Sequence, residues 1–137
     1  VQFAGVNYLA VLEATLASFV FGAVWYGALG KYWMAAAGIS GEDIQGRSAL
    51  VPMAITLVAQ LLMAYVLAGA IGHLGPGNVT LRNGVISGLF IWAGFVATSL
   101  TVNYTFQMRS RRLLAIDLGH WLGVLVLQGA IIGAAGT

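Results

Sequence analysis

Leu50–Gly72 reads LVPMAITLVAQLLMAYVLAGAIG, without one charged residue. About 20 such residues cross the roughly 30 Å of a bilayer's hydrocarbon. Pro52 sits in the first turn, where its missing N–H costs least. Working outward, three more segments have this character: about 7–29, 81–105 and 113–135. No ten-residue alternation marks barrel strands, and the segments are too long for them. Backbone polar groups in lipid then require helices. The reading is all-α: one transmembrane domain over 1–137, a polytopic four-helix bundle.

Composition agrees. Hydrophobic residues make up 60%, charged residues 7%, and mean hydropathy is +0.91. Soluble domains carry about 25% charge, so lipid is the destination of most apolar side chains. Six basic residues cannot form a nucleic-acid footprint. The lack of cysteine removes disulfides, thiolate catalysis and cysteine metal sites. The N-terminus has no positive n-region, so no cleavable leader is expected.

Short connections join the spans. Loop one, Gly30 to Ala49, holds Ser40-Gly41-Glu42-Asp43, which reads as a capping box on a short interfacial helix or as a plain turn. Loop two, His73 to Thr80, contains the turn signal Gly75-Pro76-Gly77-Asn78. Loop three, Phe106 to Arg112, is tight and basic. Loops one and three carry Lys31, Arg47, Arg109, Arg111 and Arg112; the other side has only Arg82. The positive-inside rule places loops one and three in the cytoplasm and both termini outside. Trp25, Tyr26, Tyr32 and Trp33 read as boundary aromatics of the first span, as do Tyr104 and Phe106 of the third.

Ionisable groups inside spans are expensive and usually face the bundle. Glu13 is flanked by Ala10 and Ala17, and a bond to Gln128 at similar depth is expected. Asp117 and His120 share a face of the fourth span, with Gln128 in the same direction. The antiparallel third span should bring Thr98, Thr101 or Asn103 beside them, and Asp117 has Arg111 and Arg112 within reach. With Gln60, these residues form an expected intramembrane polar network. It reads as glue between helices, as a proton or ligand path, or as axial ligation of haem or chlorophyll by His120. His73 reads as solvated.

Small residues mark packing faces. In the third span Gly84, Ser87, Ile91, Gly94, Thr98, Thr101 and Thr105 fall at heptad spacing. The fourth span has Asp117, His120, Val124 and Gln128 on one face. Ala115, Gly119, Gly123, Ala130 and Gly133 lie roughly opposite. A helix packed on both sides suggests association with another helix or subunit.

No nucleophile elbow, HExxH or phosphate loop is present. No catalytic residue and no metal site is expected. Short motifs run through the chain in order: Asn7-Tyr8-Leu9-Ala10-Val11, Gly22-Ala23-Val24-Trp25-Tyr26, Gly30-Lys31 and Trp33-Met34. Pro52-Met53-Ala54, Ala64-Tyr65-Val66-Leu67 and Trp92-Ala93-Gly94-Phe95-Val96-Ala97-Thr98 come next. Asn103-Tyr104, Ile116-Asp117 and Gly119-His120 complete them. Together they resemble domain-of-unknown-function family 1761, small bacterial membrane proteins. The chain departs where Gly27-Ala28 succeed Trp25-Tyr26, a place where that pattern often has proline, and where Trp121 succeeds His120. The resemblance implies the fold and a location in the bacterial cytoplasmic (inner) membrane, and no mechanism.

The leading expectation is a non-enzymatic structural or accessory subunit. It would pack in a homo-oligomer or in a larger membrane complex, for instance an energy-transducing one. Its partners would be membrane lipids and other membrane subunits or itself, with no nucleic acid and no cofactor. The alternatives are a small channel or transporter using Glu13, Asp117 and His120, and haem or chlorophyll held by His120.

Overall fold

The computed structural model describes residues 5–136. It is all-helical: α1 (Tyr8–Ala37), α2 (Gly41–Ile44), α3 (Leu50–Gly72), α4 (Leu81–Phe106) and α5 (Arg111–Ala135). All except α2 are long and apolar enough to cross a membrane, and the chain is a multi-pass membrane protein.

Local chemistry sets the boundaries. Asn7, Thr80 and Ser110 each accept a backbone N–H three residues on, capping α1, α4 and α5. These caps satisfy donors that a helix start leaves free. Loop one contains the short helix: the Ser40 side chain accepts from Asp43 N, and the Asp43 carboxylate accepts from Ser40 N at 2.8 Å. α1 runs to Ala37, well past the expected end near Leu29. Met34-Ala35-Ala36-Ala37 favours helix, and only Gly38, left-handed at φ 70°, stops it. There Ile39 N–H donates to Met34 O at 2.9 Å and Gly38 N–H to Ala35 O at 3.3 Å, a Schellman termination. With 30 residues, α1 is about 45 Å long.

α5 is the central helix, contacting α1, α4 and α3, while α1 also packs on α3. Its closest partner is α4. A Cβ on Gly84 would overlap the Gly129 carbonyl, one on Gly129 the Gly84 carbonyl, and one on Gly133 the Thr80 carbonyl. Gly84 with Gly88, and Gly129 with Gly133, are two GxxxG pairs interleaved backbone to backbone. Gly88 and Gly129 join the expected packing positions, and their four-residue glycine spacing is the signal that marks them.

Gly119 and Gly123 face α1: a Cβ on Gly119 would lie 2.7 Å from the Trp25 ring, and Phe21 occupies the space over Gly123. Both glycine-bearing sides of α5 are therefore covered within this chain. Of the two alternatives for that doubled face, another helix or another subunit, the second contact is made by another helix of the chain. Ala115 is exposed and Ala130 half-buried.

The heptad seam of α4 does not hold along its length. Trp92–Ala97 is a π-helical segment. One extra residue in a turn rotates the rest of the helix by about 100°. Gly84 packs before it, and Ser87 is half-buried, lining an open cleft together with Ala70 of α3. Gly94 within it, and Thr98, Thr101 and Thr105 after it, differ: Thr101 and Thr105 are exposed, and Gly94 faces open space. The three threonine hydroxyls donate to the carbonyls of Gly94, Ala97 and Thr101 in their own helix. They need no partner helix in lipid.

The apolar core lies at one end, where α1 begins and α3 and α5 end. Ala10, Val11, Ala14, Leu67, Ile71 and Ile132 meet there. The buried polar residues lie deeper along α5, toward its start.

Candidate functional site

The first polar cluster forms around Asp117 on α5, which is 8% exposed. Tyr26 of α1 donates its hydroxyl to Oδ1 at 2.6 Å, and Tyr104 of α4 donates to Oδ2 at 2.6 Å. Two indoles secure the flanking backbone: Trp25 Nε1 donates to Ile116 O at 3.1 Å, and Trp92 Nε1 to Leu118 O at 2.9 Å. Three helices are thus tied at one level by aromatic donors. Tyr26 and Tyr104, read as boundary aromatics, supply this chemistry. The π segment is what turns Tyr104 inward and Thr101 outward.

His120 lies one turn further along α5 and is 3% exposed. Its ring lies 4.8 Å from that of Tyr26, 4.6 Å from Trp121 and 6.2 Å from Phe21, centroid to centroid. Its Nδ1 has no hydrogen-bond partner among the described residues. Opposite the ring is Gly22, where a Cβ would sit 2.8 Å from His120 Nε2 and 3.9 Å from Gln60 Nε2. Glycine here lets the His120 ring approach α1 this closely, and it leaves the His120 and Gln60 nitrogens side by side at the helix surface.

The second cluster is fully buried. The Ser18 hydroxyl lies 3.1 Å from both Thr15 O and Gln60 Oε1, and it accepts from Gln128 Nε2 at 3.0 Å. Gln128 Nε2 also donates to the Gln60 carbonyl at 3.1 Å. This knot joins α1, α3 and α5. Gln60 Nε2 and Gln128 Oε1 have no partner among the described residues.

Between the clusters a cleft of about 330 Å³ opens between α1, α3 and α5. His120, Gln60, Thr56 and Gly22 line it, with aromatic walls from Phe19, Tyr26 and Trp121. Ala23 and Met53 stand at its exposed rim.

Of the expected network, Gln60, Asp117, His120 and Gln128 are buried in these clusters. Three expectations are corrected. Glu13 is exposed on the stripe of Leu9, Leu12, Leu16 and Val20, because the inward face of α1 runs through Ala10, Ala14, Ser18 and Gly22. Gln128 accordingly pairs with Ser18 and Gln60. Thr98, Thr101 and Asn103 take no part, since the π segment rotates them away, and the two threonines bond within their own helix. Arg111 and Arg112 are exposed, and both carboxylate oxygens of Asp117 already accept from tyrosines. Ser18, Tyr26 and Tyr104 complete the clusters in their stead. Among the described residues no three His, Asp or Glu side chains are grouped to hold a metal.

No curated protein and no solved structure matches the chain. The model of one family does, over residues 9–133, nearly the whole length. Within that span, Tyr26 and Gly22 of α1 meet Asp117 and His120 of α5, and Trp25 meets Ile116 and Gly119. The chain belongs to the family described as protein of unknown function, DUF1761.

Proposed function

We propose that this chain is a non-enzymatic membrane protein that holds a small lipid-phase ligand in the cleft between α1, α3 and α5. One observation carries the reading: two buried side chains that line the cleft, His120 and Gln60, bring nitrogens close to Gly22, and Gln60 Nε2 has no partner among the described residues. A buried donor without an acceptor costs about 1–3 kcal/mol. A ligand acceptor in the cleft offsets that cost.

The geometry favours this over the other roles. A proton or cation route through Glu13, Asp117 and His120 would have to cross the apolar layer of Ala14, Leu67 and Ile71, and Glu13 lies outside the bundle. Axial ligation by His120 would need a porphyrin face beside a ring already flanked by Phe21, Tyr26 and Trp121. About 330 Å³ accommodates one ring, near the lower limit of ligand pockets.

A second reading, a subunit associating with its own copies or with another membrane protein, is favoured by Glu13 on the outward apolar stripe. It ranks below because Glu13 lies about 27 Å along the helix from Lys31. That puts it near the edge of a roughly 30 Å hydrocarbon layer, where a carboxylate reaches headgroups at little cost. The location proposed is a bacterial cytoplasmic membrane, with loops one and three inside and both termini outside. The basic residues of those loops support it.

The test is extraction from the native membrane into mild detergent, then native mass spectrometry. We expect one small nonpeptide molecule retained per chain, and its loss in Ala23→Phe, which fills the rim of the cleft. Retention unchanged in a folded Ala23→Phe protein, or nothing retained by either, would overturn the reading.

A further inference from the structure

We infer that the ligand of this cleft is a neutral planar ring carrying an edge carbonyl, of the quinone class, with its hydrocarbon tail left in the membrane; the inference rests on the cleft being a ligand site. Four features select this chemistry. The first is donor polarity. Ser18 donates to Gln60 Oε1, so the free end of that amide is the nitrogen, a donor. His120 Nε2 lies beside the same glycine and is a second donor in the tautomer that carries its proton there. Both nitrogens lie near Gly22, in residues that line the cleft, so the matching group is an acceptor oxygen.

The second is charge. No Lys or Arg side chain lines the cleft. A carboxylate or phosphate head would be buried without a counter-ion, at high cost. A neutral carbonyl needs only hydrogen-bond donors. The third is shape. Phe19, Tyr26 and Trp121 supply flat apolar walls, which suit offset or edge-on packing of a ring. Met53 at the rim adds an adaptable surface. The fourth is access. Ala23 and Met53 are exposed on segments that cross the membrane, so the cleft opens sideways toward lipid. A tail can therefore stay in the bilayer while the head enters.

The experiment uses the full chain in lipid nanodiscs and two probes with the same tail, decylubiquinone and decylbenzene. Ligands that bind only the folded state raise the unfolding midpoint in a saturable manner. We expect decylubiquinone to do so and decylbenzene not to. Half-saturation should shift at least tenfold in Gln60→Met and His120→Phe, and the effect should vanish in Ala23→Phe. Ala23 lies outside both polar clusters, so that variant reports on the cleft even where the other two fail to fold. Equal stabilisation by both probes, lost in Ala23→Phe, overturns the carbonyl assignment and leaves the cleft a ligand site. Stabilisation by neither probe, with a natural ligand still retained on extraction, overturns the quinone class alone. Stabilisation unaltered in Ala23→Phe overturns both.

Discussion

Asp117 is held by two phenols on two different helices. In water-soluble proteins such bonds to a carboxylate contribute about 1.5–3 kcal/mol each. Inside membranes interhelical hydrogen bonds average about 0.6 kcal/mol, with about 1.7 as the upper end, because the unfolded helices find other partners in lipid. Tyr26→Phe should therefore destabilise by about 1 kcal/mol. Asp117→Ala should cost about 2–3 kcal/mol, since it strands both hydroxyls and leaves a small void. In the Asp117→Ala background, Tyr26→Phe should add no cost and should recover part of the loss, because it removes a stranded hydroxyl. Denaturant titration of the helical signal measures the three values, and a full additive cost for Tyr26→Phe would show that the pair is not coupled.

Asp43 offers a separate test outside the membrane. The Ser40 backbone N–H, and then its hydroxyl, hold the Asp43 carboxyl below the usual aspartate range. A depressed folded value means the cap stabilises α2 fully above the unfolded value of about 3.9. That contribution fades as pH falls through the folded value. Amide exchange at Glu42–Gln45 should be slowest, relative to the unstructured rate, near neutrality and should lose its protection only in strong acid. In Asp43→Asn it should be weakly protected at every pH.

At the level of elements, α4 is two half-helices with different neighbours, joined by a π segment. Gly84→Ala, before the segment, puts a methyl into the Gly129 carbonyl. It should destabilise by about 1–3 kcal/mol. Gly94→Ala, within it, meets open space and should be neutral or stabilising by about 0.5 kcal/mol. Thermal melts of the two variants separate the halves; equal effects would contradict the split. The contrast also shows what a sequence can and cannot disclose. Spans are legible because hydropathy accumulates over twenty residues and tolerates local error. Facing is legible only while the turn stays regular. A seam from Gly84 to Thr105 assumes 100° per residue throughout, and six π residues break that assumption. Tyr104 and Tyr26 are legible as aromatics near a boundary. Their hydroxyls are not, because a phenol serves an interface and a buried carboxylate with the same side chain. Glu13 misleads for another reason: alanines beside it mark a packing face whose centre lies one residue away.

For the whole molecule, the central place of α5 explains why four helices suffice without an outside partner for its glycines. It carries both polar clusters and meets each other long helix. The proposed orientation is directly testable, since the chain has no cysteine to remove. Asn78→Cys should react with an impermeant maleimide in intact cells, and Gln45→Cys only after permeabilisation; the reverse pattern would invert the topology. The overlong α1 has a consequence of its own. At about 45 Å it exceeds a roughly 30 Å hydrocarbon layer by several turns, whereas α3, with 23 residues, has only about 5 Å to spare. A thicker bilayer can be met by α1 sliding its Ala-rich end inward, but α3 has no such reserve. Bilayer thickness would then act as shear between α1 and α3, across the wall that Gln60 and Gly22 share, and would bear first on that cleft.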